Sequence, residues 1–160
     1  MHPQTSLPQA ESFVHVMDLL QYMRREPFSR REALAYFDIE PRKMNFYTGA
    51  MIYLGLAEEY RDYDEYADEE DFYYRLTPLG CSIMEMGVHE RNSSIVKCML
   101  QHQLFRHALN LYSKQLALLT QQQAAEIIRE LHSDASEHAV KRCSATVVNW
   151  TDWLLEQTHR

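Results

Sequence analysis

Glu40–Leu56, EPRKMNFYTGAMIYLGL, carries a helix start, an apolar stripe and a helix stop in one run. Pro41 suits the first helical position, where its missing N–H would have lacked a partner in any case, and Glu40 precedes it at the positive end of the helix. Met44, Tyr47, Met51 and Leu54 recur at helical spacing and predict the buried face. Arg42, Lys43, Asn45, Phe46 and Thr48 are left on the other side. Guanidinium, ammonium, amide, hydroxyl and aromatic groups gathered on one face are the types that hold phosphates and read base edges. An ordinary amphipathic helix with a wet polar side shows the same pattern, because surface Arg and Lys are the default. The neighbouring segments decide between the two.

Upstream, residues 1–9 read as a polar, Pro-containing, disordered arm. Residues 10–25 read as a helix with Phe13, Val14, Met17, Leu20 and Tyr22 or Met23 inward, stopped by Arg24-Arg25 and Pro27. Ser29 is placed to cap a second helix, with Glu32 as its capping-box partner and Ala33, Leu34, Tyr36 and Phe37 as its apolar side. Asp38-Ile39 makes the turn into the Glu40 helix. Downstream come a strand-like LAEEYRDY (56–63), a loop and a strand-like FYYRLTPLG (72–80), and Thr77-Pro78 then starts a helix ended by Gly87. That order predicts a winged helix-turn-helix over residues 10–88, with residues 62–71 as a short β-wing. The Tyr-x-Leu-Thr-x-x-Gly pattern at Tyr74–Gly80 resembles the strand after the wing in MarR-type regulators.

The second half, residues 89–160, reads as a helical domain. Residues 90–118 form one or two helices, a helical linker with Ile95, Met99, Leu100, Leu104, Phe105, Ala108, Leu109, Leu111, Tyr112 and Leu116 apolar. So broad a stripe predicts the core of this half first, and it leaves room for a homodimer seam. Thr120 caps the next helix, with Gln123 three residues on and Ala125, Ile127, Ile128 and Leu131 inward. Ser136–Arg142 reads as a short helix, and Ser144 as the cap of a last one through Leu155 with Val147, Trp150 and Leu154 buried. Short helix, tight turn and longer helix predict a second, smaller helix-turn-helix unit. Ala145, Thr146 and Asn149 are then exposed on its final helix, and Lys141 and Arg142 lie in the turn, beside a helix N-terminus suited to phosphate. The expected fold class is therefore mainly α, with one winged helix-turn-helix and one smaller helix-turn-helix.

A net charge of −7 looks hostile to nucleic acid, yet residues 58–71 alone hold nine acids against Arg61. The remainder is close to neutral, so whole-chain charge says little about any other surface. The N-terminus has neither the basic nor the apolar region of a signal peptide, and no run is long and apolar enough to span a membrane. Three well-separated cysteines, Cys81, Cys98 and Cys143, suit free thiols in a reducing compartment. A cytoplasmic location is expected.

Catalytic patterns are scarce. A common restriction nuclease needs an Asp/Glu-x-Lys triplet, so that carboxylates hold Mg²⁺ and the Lys polarises the attack, and the chain has none. The acids of 62–71 lack the glycine and spacing of a calcium loop. Cys98, His102 and His107, or His132, His138 and Cys143, could be read as zinc half-sites, but no Cys-x-x-Cys pair accompanies them. Cys143, beside Arg142, comes nearest to a nucleophile, and its position favours packing instead. No Gly-rich phosphate loop occurs. No cofactor, no metal and no catalysis are expected.

Arg42, Phe46-Tyr47, Ala50 and Tyr53-Leu54-Gly55-Leu56 resemble the R-Q-x-x-Y-Y-x-x-A-x-x-Y-L-G-L pattern of winged-helix modules associated with type II restriction endonucleases and related defence ATPases. Arg142-Cys143-Ser144-Ala145-Thr146-Val147 with Trp150 and Trp153 is similar to the R-R-x-S-T-V-x-x-W-x-x-W that ends the same modules. Lys43 stands where the pattern has Gln, Phe46 where it has the first Tyr, and Cys143 where it has the second Arg. The resemblance implies recognition of double-stranded DNA by a non-catalytic regulator or target-recognition module of a restriction, mobile-element or defence system. On that reading Asn45, Thr48, Thr146 and Asn149 reach bases, Arg42, Lys43, Lys141 and Arg142 hold phosphates, and Phe46 and Ser144 belong to the same DNA-binding set. A rival expectation is a protein-interaction adaptor, similar to kleisin-binding tandem winged helices or to a DNA mimic. Its contact surface is Tyr60, Tyr63 and Tyr66 among the acids of the wing.

Overall fold

A computed structural model describes residues 7–158. Among them the order is α1 (Phe13–Tyr22), β1 (Phe28–Ser29), α2 (Arg30–Phe37), α3 (Pro41–Tyr53), β2 (Ala57–Asp64), β3 (Glu69–Leu76), α4 (Pro78–Met84), α5 (Val88–Met99), α6 (Gln103–Gln115), α7 (Gln121–Leu131) and α8 (Glu137–Thr158). The chain is mainly helical, and its strands form one antiparallel sheet in the order β1-β3-β2. Residues 14–86 make one compact unit, and residues 7–13 with those from 87 onward make another. The arm expected over residues 1–9 lies outside the described residues up to 6. From there on the chain is packed, with Pro8 and Ala10 buried.

In the first unit, α3 forms where its punctuation places it. Pro41 occupies the first turn, and Met44, Met51 and Leu54 are buried together with Ala50, while Tyr47 is half-buried. Gly55 adopts φ 77°, which a residue with a Cβ resists. Gly55 N–H donates to Ile52 O at 2.9 Å and Leu56 N–H to Met51 O at 3.1 Å, the paired bonds of a Schellman stop. Leu56 then meets the start of α4. Thr77 N–H donates to Leu56 O at 3.0 Å, and Thr77 Oγ1 donates to Gly55 O at 2.7 Å while accepting from Gly80 N–H at 3.0 Å. A Cβ on Gly80 would stand 2.1 Å from Leu56 O. Tyr-Leu-Gly-Leu and Leu-Thr-x-x-Gly, two separated patterns in the sequence, are therefore the two halves of one backbone joint.

This unit departs from expectation at several points. α1 presents Val16, Leu19 and Leu20 inward, with Met23 buried just past its end, while Val14 and, on α2, Tyr36, both expected inside, are 63% and 68% exposed. A third strand, β1, pairs Phe28 with Tyr74 and Ser29 with Tyr73. It is only two residues long, too short to show a period, and Ser29 both ends it and caps α2 by accepting from Glu32 N–H at 3.1 Å. Phe28 and Tyr74 are fully buried and their rings meet at 5.8 Å, joining sheet and core.

In the second unit the expected short helix and turn before Ser144 are replaced by one continuous helix, α8. No Gly or Pro interrupts residues 137–158. Ser144 Oγ donates to Lys141 O at 2.7 Å instead of capping a new helix, and Thr146 Oγ1 likewise bonds back to Arg142 O at 3.2 Å instead of facing outward. Val140, Cys143, Val147, Trp150 and Leu154 form an unbroken buried stripe. Trp150 stacks on Phe105 at 5.5 Å and meets Phe13 edge-on at 5.3 Å. Trp150 Nε1 donates to Ala10 O at 2.9 Å, which holds the segment before α1 extended and accounts for a helix that begins at Phe13 and not at Ala10. The Glu90–Leu118 stretch resolves into α5 and α6, with Ile95, Met99, Leu104, Phe105 and Ala108 buried and Leu116 exposed in a left-handed turn. At α7 the capping box of Thr120 and Gln123 is complete in both directions.

Candidate functional site

The first turn of α3 leaves Arg42, Lys43 and Asn45 exposed, with Phe46 half-buried and the Arg42 guanidinium 6.0 Å from its ring centre. Thr48, expected on this face, is buried. Its hydroxyl donates to Met44 O at 3.0 Å and Asn45 O at 3.3 Å, which removes it from the exposed set. In its place the fold supplies Arg30, the first residue of α2. Arg30 Nη1 donates to Asn45 Oδ1, and Nη2 donates to Pro41 O at 3.1 Å. Nothing local signalled this, since Arg30 lies eleven positions before Pro41 and only the tertiary fold brings them together. Beside this turn, a cleft of about 460 Å³ is lined by His15, Asp18, Lys43 and Tyr47 among others, and His15 Nδ1 lies 3.1 Å from Tyr47 Oη.

The acidic segment is a regular hairpin, as the strand-like flanks suggest, with a shorter turn than expected. β2 and β3 pair from Ala57↔Leu76 out to Asp64↔Glu69, leaving residues 65–68 as the turn. The register sets Asp62 opposite Asp71 and Asp64 opposite Glu69, and like charges facing each other across a ladder oppose pairing. Arg31 offsets this from α2. Its Nε and Nη2 donate to Asp64 Oδ2 at 2.9 and 2.7 Å, and its backbone N–H donates to Asp71 Oδ2 at 3.2 Å. Asp64 Oδ1 accepts from Tyr66 N–H at 2.9 Å and Ala67 N–H at 3.3 Å, organising the turn. The Arg31 guanidinium holds the Asp64 carboxyl below the ordinary carboxylate range, against the opposing effect of burial, and the two turn N–H groups add to it.

Of the three tyrosines expected as a contact surface, Tyr60 is the most engaged. Its ring stacks on Tyr73 at 5.6 Å and lies under the Arg75 guanidinium at 4.4 Å, while Arg75 pairs with Glu58 at 2.7 Å. Tyr63 is half exposed and its hydroxyl donates to Asp68. Tyr66, at the turn, is 92% exposed. The hairpin thus carries two accessible tyrosines at its tip and one embedded midway along it.

The residues expected to act in the second unit do not form a comparable site. Lys141 is exposed and Arg142 half-buried, but both stand inside α8 and not in a turn before a new helix. Ser144 and Thr146 are buried, and Ala145 is half-buried. Asn149 is exposed, yet its Oδ1 accepts from Phe13 N–H at 3.4 Å and serves the first turn of α1. Cys143 is fully buried and its thiol is pushed up to about 12 by desolvation, which removes the thiolate a nucleophile needs. Cys98 lies in the last turn of α5, whereas His102 caps α6 across a turn, so the two do not share one continuous helix. Among the described residues no group of three His, Cys, Asp or Glu side chains could hold a metal ion, and no helix is long and apolar enough to cross a membrane.

A family model described as a domain of unknown function, DUF7226, matches residues 15–159. The chain belongs to that family. The DUF7226 match runs through both compact units, and its description names no activity. No curated protein and no solved structure matches the chain.

Proposed function

We propose that this DUF7226 protein binds double-stranded DNA through α3, as a non-catalytic regulator or recognition module of a restriction, mobile-element or defence system. The observation that carries the reading is the convergence of Arg30, Arg42, Lys43 and Asn45 on the first turn of α3. The order α1-β1-α2-α3-β2-β3 with sheet order β1-β3-β2 supports a winged helix, in which α3 is the helix that enters the major groove. Arg42 and Lys43 hold phosphates, and Asn45, oriented by Arg30, is the residue with base-reading chemistry. Lys141, Arg142 and Asn149 are not needed for this contact.

Arg42→Ala and Lys43→Ala should each weaken binding to all duplex sequences and lower the salt slope by about one. Asn45→Ala should instead relax preference at one position of a selected site. Equal affinity and slope for wild type and both cation variants would remove α3 from the interface.

A second reading has its own observation, the exposure of Tyr63 and Tyr66 at the tip of an acidic hairpin. In that reading the hairpin grips a basic protein partner and DNA is not the ligand. Tyr66→Ala with Tyr63→Ala should then abolish the partner complex while the protein stays folded and any duplex affinity is unchanged.

A further inference from the structure

Two adjacent arginines at the start of α2 are used in opposite ways. Arg30 reaches forward to the first turn of α3, and Arg31 reaches to the hairpin. Arg31 gives two guanidinium nitrogens to one oxygen of Asp64, while its own N–H, at the second position of α2, goes to Asp71. A guanidinium and a first-turn N–H presented together are the donors that a phosphodiester oxygen takes. Here two carboxylates occupy them. Asp64 is 3% exposed, with its second oxygen fixed by the turn N–H groups, so the contact is built and not incidental. Asp62, Glu69 and Glu70 lie on the same outer half of the hairpin and add a field opposed to any approaching polyanion.

We infer that the β2–β3 hairpin is an autoinhibitory element: Asp64 and Asp71 hold the Arg31 guanidinium and N–H that a DNA phosphate would otherwise engage. The inference rests on the reading of α3 as a DNA-contacting helix. It explains why a hairpin with acids facing acids is kept against α2, since the repulsion within the ladder is offset only while Arg31 stays bound. Opening the contact removes the carboxylates and frees a cation in a single step.

The test compares the full-length wild type, an Asp64→Asn/Asp71→Asn variant, and the same variant with Arg31→Gln, each checked for folding by its amide NMR spectrum. On a random-sequence duplex at about 0.1 M salt the double variant should bind about tenfold more tightly with a steeper salt slope, and Arg31→Gln should cancel the gain. An unchanged or weaker affinity, or a gain that survives Arg31→Gln, overturns the inference. If no version binds duplex at all, the α3 reading fails, and inorganic phosphate then decides the hairpin's role. A phosphate-dependent shift of the Arg31 Nε and N–H signals in the double variant, absent in wild type, upholds the occupied anion position. No shift in the double variant, or equal shifts in both proteins, overturns it.

Discussion

α3 and the middle of α8 begin from similar sequence material and fold in opposite ways. Each offers a basic pair followed by hydroxyl, amide and aromatic residues along an apolar stripe. Around α3 the chain is punctuated by Pro41 at one end and by Gly55, at φ 77°, at the other, and a helix with defined ends results. Around Ser144 there is no such punctuation, and the Ser144 hydroxyl expected as a cap turns back to Lys141 O, as that of Thr146, expected at bases, does to Arg142 O. A hydroxyl residue announces a helix start only when something else stops the preceding helix. Without that stop the same side chain is absorbed into the helix at little cost.

The most severe way to break this comparison is Ala145→Pro. At the first position of a new helix proline is tolerated, whereas inside a continuous α8 it should cost about 3 kcal/mol or more, read as a drop in the denaturant midpoint of the second unit. A cost below about 1 kcal/mol would restore the turn before Ser144. Next comes Gly80→Ala, whose Cβ cannot fit 2.1 Å from Leu56 O. Separation of α4 from Leu56 should cost about 2–3 kcal/mol, measured by thermal or denaturant unfolding.

Gly55→Ala should cost less, about 1 kcal/mol, because nothing stands near the new Cβ and only the left-handed backbone resists it. The smallest effect is a pH dependence of the hairpin tip. The folded Asp64 carboxyl titrates below its usual value, so its contribution is complete above the ordinary carboxylate range. It is lost as pH falls through the lower, folded value. Amide exchange at Tyr66 and Ala67 should therefore become less protected only at strongly acid pH, and Asp64→Asn should remove that transition.

Most of the first unit was legible because its residues are locally decisive. Met44, Met51 and Leu54 declare a face by spacing, and Pro41, Gly55, Ser29 and Thr77 declare ends by their backbone chemistry. β1 was not legible, since two residues cannot show a period and its formation depends on Tyr73 and Tyr74 being in place. The acidic wing is legible as two strands, but its loop is drawn too long, because the acids of Glu69–Asp71 suggest solvated chain where β3 already begins. The wing is held as a hairpin because Tyr60 and Tyr73 stack across it and Arg31, distant in sequence, neutralises its tip. The candidate site divides in the same way. Arg42, Lys43 and Asn45 follow from helical phase, whereas Arg30 and Arg31 belong to the site only through partners on other elements. Thr48 was misplaced because a threonine hydroxyl can satisfy itself on Met44 O and then be buried like a valine.

The backbone joint between Gly55-Leu56 and Thr77-Gly80 also has a mechanical meaning. It clamps the root of the hairpin directly to the last turn of α3, while Arg31 tethers the tip to the first turn of α2. The hairpin is thus a lever held at both ends, with its fulcrum on the helix proposed to touch DNA. A pull on Tyr66 that breaks the Arg31 tether would be delivered through the hydrogen-bonded Thr77 joint as torque on the end of α3.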